Sequence, residues 1–365
     1  MQQNDNKIFN ILFVARDDGG CGFYRCIQPA KFIKRMGLAE TDVVFNSPSE
    51  EQLRWADLVI MQEMGSVSAM NIVKFLLENK IPYVSEIDDF LHHVSPNNTA
   101  GFGAWNPSTL YVQRSMNQIR QGLALTVSTE WLAREYFPYH QNIFVIPNYL
   151  DQDKWVNPSA KMRDEKIRIG WAGGNAHKDD LFMVSGVIEK IVKESNGKVV
   201  FETMGMTERE LSGVFNLEKF ADTCSNCNHS GQIRHHAPEA YENYPLVLAG
   251  KGWDIAIAPV IDNSFGNAKS DLKIKEYSAC GIPVVASNVA PYRGALASGA
   301  SIALATTFDE WYTAIKYYIK NKERRIEAAR HNKKWVEQYW IQENAQKTFE
   351  IYKNLINAFY GQRKI

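Results

Sequence analysis

The sequence predicts an α/β protein of two doubly wound, parallel-sheet domains facing a cleft, followed by a helical tail. Short apolar runs alternate with helix-period segments through most of the 365 residues, the pattern of a sheet with helices on both faces. The pattern breaks at residues 147–163, where Pro147, Asn148 and Pro158 stand among few apolar positions, as in a linker. From Phe308 onward the spacing is helical, and the chain ends without another strand. The length suits two α/β units better than one core. The expected divisions are 1–150, 151–335 and a final helical segment, 336–365.

In the first unit the strand candidates are 8–15, 42–45, 57–62, 82–86, 123–128 and 143–146. In the second they are 167–172, 198–204, 253–258, 283–286 and 301–304. Each is a short apolar run of the kind buried on both faces of a parallel sheet. In the tail, Trp311, Ile315, Tyr318, Trp335, Trp340, Phe349, Leu355 and Phe359 are the expected buried positions.

Composition narrows the function classes. Lys plus Arg and Asp plus Glu are both 41, so no general pull toward nucleic acid or anionic lipid is expected. Five cysteines, an odd number, with no signal-peptide pattern suggest reduced thiols in a cytoplasmic setting. No apolar run reaches the length of about 18 residues needed to span a bilayer.

In doubly wound folds ligands bind beyond the carboxyl ends of the strands, so the loops there are the places to look. The first is ARDDGGCGFYR, residues 15–25. Gly19, Gly20 and Gly22 would let backbone approach a ligand, with Arg25 placed for an anion, but the dinucleotide fingerprint is absent and a tight turn explains the glycines equally well. The second, EIDDFLHH at 86–93, sets Asp88 beside Asp89 at a strand end, where acids orient a hydroxyl, accept its proton or cap a helix. The third, GWAGGNAHKDDL at 170–181, runs from a strand through Gly173 and Gly174 to His177, Lys178 and a helix. It has the outline of a phosphate-cradling turn and also of an ordinary strand-to-helix turn.

The fourth, FGNAKSDLKIKEYSACGIPVVAS at 265–287, puts Lys269 and Lys273 four apart and Glu276 three further on. On one helix the two ammonium groups repel unless an anion lies between them. Ser270, a good N-cap, would open that helix beside free backbone N–H groups. The competing reading is a solvated lysine face. One more constellation, CSNCNHSGQIRHH at 224–236, offers Cys224, Cys227, His229, His235 and His236. Half a zinc site is present but no second cysteine pair follows, so a polar loop is the preferred reading and no metal is expected.

Together these loops resemble the GT-B glycosyltransferases of the family 4 type, also called glycosyl transferases group 1. The resemblance rests on AKSDLKIKEYSACGIPVVAS with DIAIAPV upstream, on IGWAGGNAHKDDL, and on EIDDF, which is similar to a strand-end motif of a bacterial and phage subgroup. It extends from Ile11 to about Phe359. It implies a first, acceptor-side Rossmann-like domain, a second that binds a nucleoside diphosphate sugar (UDP- or GDP-sugar) as co-substrate, and a final helix crossing back to the first. It further implies that Lys273 and Lys178 face the diphosphate, Glu276 holds the ribose hydroxyls, and Asp88 or Asp89 serves the acceptor hydroxyl. Transfer would be retaining, without a metal or other cofactor. Many members carry a glutamate where this chain has Ala268, so the sugar contact of that position is not carried over.

The acceptor expected on these grounds is a glycan, a lipid-linked glycoconjugate or a modified nucleobase of phage-type DNA. Neutral net charge counts against the nucleobase. A non-catalytic binding protein of the same shape is a further alternative, opposed by the retained lysines and Glu276, and a GT-B sugar-nucleotide epimerase is the remaining relative, disfavoured by the match of the acidic EIDDF loop.

Overall fold

The structure, a computed structural model, describes residues 8–94, 102–103, 105–155, 165–217 and 232–362. Two six-stranded parallel sheets form its frame. The first has the order β2-β1-β3-β4-β5-β6, with β1 Asn10–Ala15, β2 Glu40–Phe45, β3 Leu58–Gln62, β4 Tyr83–Ile87, β5 Ala124–Val127 and β6 Ile143–Val145. The second has the order β12-β11-β10-β7-β8-β9, with β7 Ile167–Ala172, β8 Val199–Met204, β9 Ile233–His236, β10 Ile255–Ala258, β11 Val284–Ser287 and β12 Ile302–Ala305. In both sheets the order reverses beside the first strand, opening the crevice where such folds bind ligands.

The central strands are apolar because both faces are covered. Ile11 pairs with Thr41 on one side and Leu58 on the other, and Ile11 to Ala15 are fully buried. β9 was not among the expected strands, for a physical reason. It lies at a sheet edge, only Ile233 is buried, and its polar side chains answer Glu202 of β8, from which His236 Nε2 is 3.4 Å.

The tail ends in a helix, Ile341–Gly361, that packs on the first sheet. Phe349, Tyr352, Leu355 and Ile356 join Ile11, Phe13 and Ala15 in one core, and Ile341 and Ala345 meet Phe32. Where the chain leaves and re-enters, the two passes are tied together: Leu150 N donates to Tyr339 O (3.0 Å) and Ile341 N to Leu150 O (2.8 Å). Of the expected tail positions, all but Phe359 are buried. Among the described residues no helix is long and apolar enough to cross a membrane.

Candidate active site

The carboxyl ends of the two sheets meet around a cavity of about 370 Å³. Its wall takes Gly20, Asp88 and Asp89 from the first domain, and Gly173, Gly174, His177, Lys269, Ser270, Lys273 and Glu276 from the second. Ten of the thirteen positions named from sequence therefore surround one space. The exceptions are Gly19, Arg25 and Lys178.

The glycine loops let backbone pack tightly. A Cβ on Gly20 would lie 2.4 Å from the Tyr241 hydroxyl, and one on Gly173 would lie 2.6 Å from the Trp171 ring and 3.2 Å from Lys273 Nζ. The first loop thus seats against the second domain, and the second lets the Lys273 ammonium sit against backbone.

The lysines are arranged differently from the expectation. The helix runs Leu272–Ala279, with Asp271 at its N-cap position and no side-chain cap. Lys269 belongs to the end of the preceding helix, Ser264–Ala268, so the two lysines do not stack on one helix. Ser270 is not a cap; its hydroxyl oxygen accepts from Asn148 Nδ2 at 3.1 Å. Asn148 Nδ2 also donates to Asp88 Oδ1 at 3.1 Å, linking the domains beside the cavity. Lys269 Nζ sits 3.6 Å from Asp89 Oδ1 and 4.4 Å from the Phe265 ring centre. Burial works against its charge, but Asp89, Asp180 and Asp88 outweigh it and hold the ammonium pKa above the ordinary value.

Lys273 donates to the carbonyl of Ala172 and lies 5.6 Å from the Trp171 ring centre, with no ion pair among the described residues. Its pKa is lowered, first by burial and further by Lys269, with Glu276 opposing. A half-buried cation with so little compensation gains most from an arriving anion. His177 is lowered to about 4 by burial, with Lys269 and Lys273 adding to the shift, while Asp180, 2.9 Å from its Nδ1, opposes it. At neutral pH the ring is uncharged.

Glu276 is held by tyrosines: Oε1 accepts from Tyr24 at 2.8 Å and Oε2 from Tyr244 at 3.0 Å. Burial raises its pKa, against Lys273 and the two hydroxyls. Ala268 is fully buried, packed with Phe90, Val94 and Trp105 of the first domain.

Three expected positions lie away from the cavity. Arg25 is unavailable to a ligand: Nε and Nη2 reach Glu86 at 2.7 and 3.1 Å, and Nη1 reaches Ile146 O and Asn148 Oδ1. Lys178 does not line the cavity. Its Nζ lies where a Cβ on Gly213 would come within 2.6 Å, at the end of the helix Glu208–Ser212, whose terminal carbonyls attract a cation. Gly19 also stays outside, its N–H bound to Asp17 Oδ1. Cys224, Cys227 and His229 lie outside the described residues; His235 and His236 are on β9.

Sequence reasoning missed Tyr24, Tyr241, Tyr244 and Asn148. The signals were present in CGFYR and PEAYENYP, yet an aromatic near a turn reads as ordinary core until its hydroxyl is seen to meet a carboxylate.

Residues 203–350 match the glycosyl transferase-like family model. No curated protein matches the chain by sequence. Among solved structures, HepE of Anabaena in complex with UDP is 13% identical, with a TM-score of 0.65 over 95% of this chain and 100% of that one. Sucrose-phosphate synthase of Thermosynechococcus elongatus is 10% identical, with a TM-score of 0.70 over 96% and 100%. A glycosyltransferase of Rickettsia africae is 12% identical, with a TM-score of 0.65 over 96% and 99%. The paired six-stranded sheets and the likeness to these structures give the chain the GT-B fold, and residues 203–350, from β8 into the helical tail, are similar to the glycosyl transferase-like family.

Proposed function

We propose that the protein transfers a sugar from a nucleoside diphosphate sugar to an acceptor hydroxyl, with retention and without a metal, in glycan or glycoconjugate synthesis. One observation carries this reading. The cavity that joins the domains sets a half-buried Lys273 without an ion pair among the described residues beside Glu276 on one wall and the acids Asp88 and Asp89 on the other. The diphosphate would lie between the Gly173–Gly174 turn and Lys273, with Lys269 alongside, and the ribose hydroxyls would donate to Glu276. HepE has been solved with UDP and with UDP-glucose, which makes uridine the first nucleoside to try.

The chemistry follows from the charges. As the bond from the anomeric carbon to the phosphate oxygen breaks, its electron pair stays on the phosphate, and Lys273 and Lys269 stabilise that growing charge. The acceptor oxygen forms its bond on the same face, and its proton passes to the departing phosphate oxygen. Asp88 or Asp89 orients the acceptor hydroxyl. The motif AKSDLKIKEYSACGIPVVAS supports family 4 type membership and retention.

Calorimetry with UDP, GDP and ADP in the presence of a chelator is the test of the donor site. Binding of one of them is expected; binding seen only with an added divalent ion would sink the lysine assignment. For the acceptor side, Asp88→Asn or Asp89→Asn should leave donor affinity within about twofold, while transfer falls about a hundredfold or more. If both variants only lower the melting temperature and transfer per folded molecule is unchanged, the acids are a loop brace.

A further inference from the structure

Glu276 belongs to the second domain, but one of its two partners does not. Tyr24 lies in the first domain, in a π-helical turn, Phe23–Ile27, directly after the glycine loop. Such turns recur at functional sites because one extra residue in the turn re-aims the side chains. Here the consecutive residues serve different domains: Tyr24 crosses the cavity to Glu276 at 2.8 Å, and Arg25 turns inward to Glu86 at 2.7 Å. The Tyr24 ring is fixed edge-on against Phe23 and Tyr241, with centroids 5.3 and 6.2 Å away. It is 3% exposed, and all three groups, Tyr24, Tyr244 and Glu276, line the cavity.

A carboxylate offers about four acceptor positions. Two tyrosine hydroxyls, one on each oxygen, fix the carboxylate plane and leave the remaining lone pairs for other donors. A diol is the ligand chemistry suited to what remains. We infer that Tyr24 is a positioning residue for nucleoside recognition: from the first domain it holds the Glu276 carboxylate in the orientation that receives the ribose hydroxyls, so ribose reading depends on the two domains meeting at this edge. This rests on the proposed role of Glu276 toward ribose. Burial, and the carboxylate beside it, raise the Tyr24 pKa well above its ordinary value, which keeps the phenol a donor at any working pH.

The experiment measures affinity by calorimetry for UDP and GDP, each against its 2′,3′-dideoxy form, in the wild type, Glu276→Gln and Tyr24→Phe. The wild type should prefer the ribose form, and Glu276→Gln should abolish that preference. Tyr24→Phe should reduce the preference about threefold to tenfold, the worth of one hydrogen bond, with affinity for the dideoxy form unchanged. Equal weakening of both forms by Tyr24→Phe would mean that the tyrosine only holds the domains together, and no change in either would mean that it does nothing for the ligand. Either result overturns the inference while leaving the Glu276 reading intact. A preference that survives Glu276→Gln, or no binding of either nucleotide, overturns that reading and this inference with it. Should Tyr24→Phe fail to fold, Tyr24→Met keeps much of the bulk without the hydroxyl and gives the same readout.

Discussion

Arg25, buried, and Lys273, half-buried, are both cations close to the carboxyl end of the first strand of a sheet, yet their surroundings are opposite. Arg25 has its charge met by Glu86 through two hydrogen bonds, and further bonds to Ile146 O and Asn148 Oδ1. Lys273 has a backbone carbonyl, an aromatic ring and no ion pair among the described residues. The saturated site ties elements of the first domain together, and the unsaturated one is where the diphosphate is proposed to bind. What distinguishes a structural cation from a binding one is how many of its donors are already used, and that cannot be seen from residue type or from place along the chain.

The comparison breaks most sharply under deletion of each charge with bulk retained. Arg25→Met strands a buried Glu86, and loss of one partner of a buried pair costs about 3–5 kcal/mol. Urea unfolding should show that loss, while UDP affinity per folded molecule changes by less than about tenfold. Lys273→Met should do the reverse. It removes a poorly compensated, half-buried charge, so stability should hold or rise by up to about 1 kcal/mol, while turnover falls about 10²–10³-fold, as for other donors lost from a transition-state charge site. Melting at high cost for Lys273→Met together with normal turnover would reverse the two assignments.

Within the proposed donor site, Lys273 and Glu276 should separate by kinetic signature. Glu276→Gln removes a contact made equally in ground and transition states, so KM for the donor should rise about tenfold with kcat nearly kept. Lys273→Ala should lower kcat as well, because the charge it meets grows as the bond breaks. Steady-state kinetics with varied donor distinguish the two; effects on KM alone in both variants would leave the lysine as an affinity group only.

Much of this was legible in sequence, and the failures have a common cause. The central strands could be placed because burial on both faces makes them continuously apolar, and the loops at their ends because doubly wound folds put ligands there. Lys273 and Glu276 could be named because the motif around them resembles that of a known family; the lysine pair expected to stack on one helix is not present, since Lys269 ends the preceding helix. Arg25 and Lys178 were misplaced because each sits at the right point in the chain with its side chain turned the other way, toward Glu86 and Gly213. Side-chain direction depends on partners distant in sequence: Glu86 is 61 residues from Arg25. β9 escaped because an edge strand beside Glu202 needs polar residues. Tyr24 escaped because its meaning lies in a partner 252 residues away in the other domain.

A further charged site, the Arg16–Glu63 pair of the first domain, lies between these extremes and gives the smallest and most specific test. Glu63, 1% exposed, follows β3; its Oε2 is 3.4 Å from Arg16 Nη1, while its Oε1 is buried without a partner. Burial pushes its pKa up to about 8, with Arg16 opposing and Asp89, Glu86 and Asp17 adding to the rise. The folded state therefore holds a proton that the unfolded state, with an ordinary carboxyl near 4.5, has released. Between those values the folded protein binds more protons, so stability must fall as pH rises from about 4.5 to about 8. His177, lowered to about 4, acts the other way at lower pH, but equally in wild type and variant, so it cancels from their difference. Glu63→Gln keeps the shape and removes the titration. The variant and wild type should be close in stability at pH 5, and at pH 8.5 the variant should be the more stable by at least about 1.4 kcal/mol, the worth of one pKa unit. Urea unfolding at a series of pH values measures this directly. Parallel curves would mean that Arg16 compensates Glu63 as fully as Glu86 compensates Arg25, and the half-satisfied class would then disappear from the comparison.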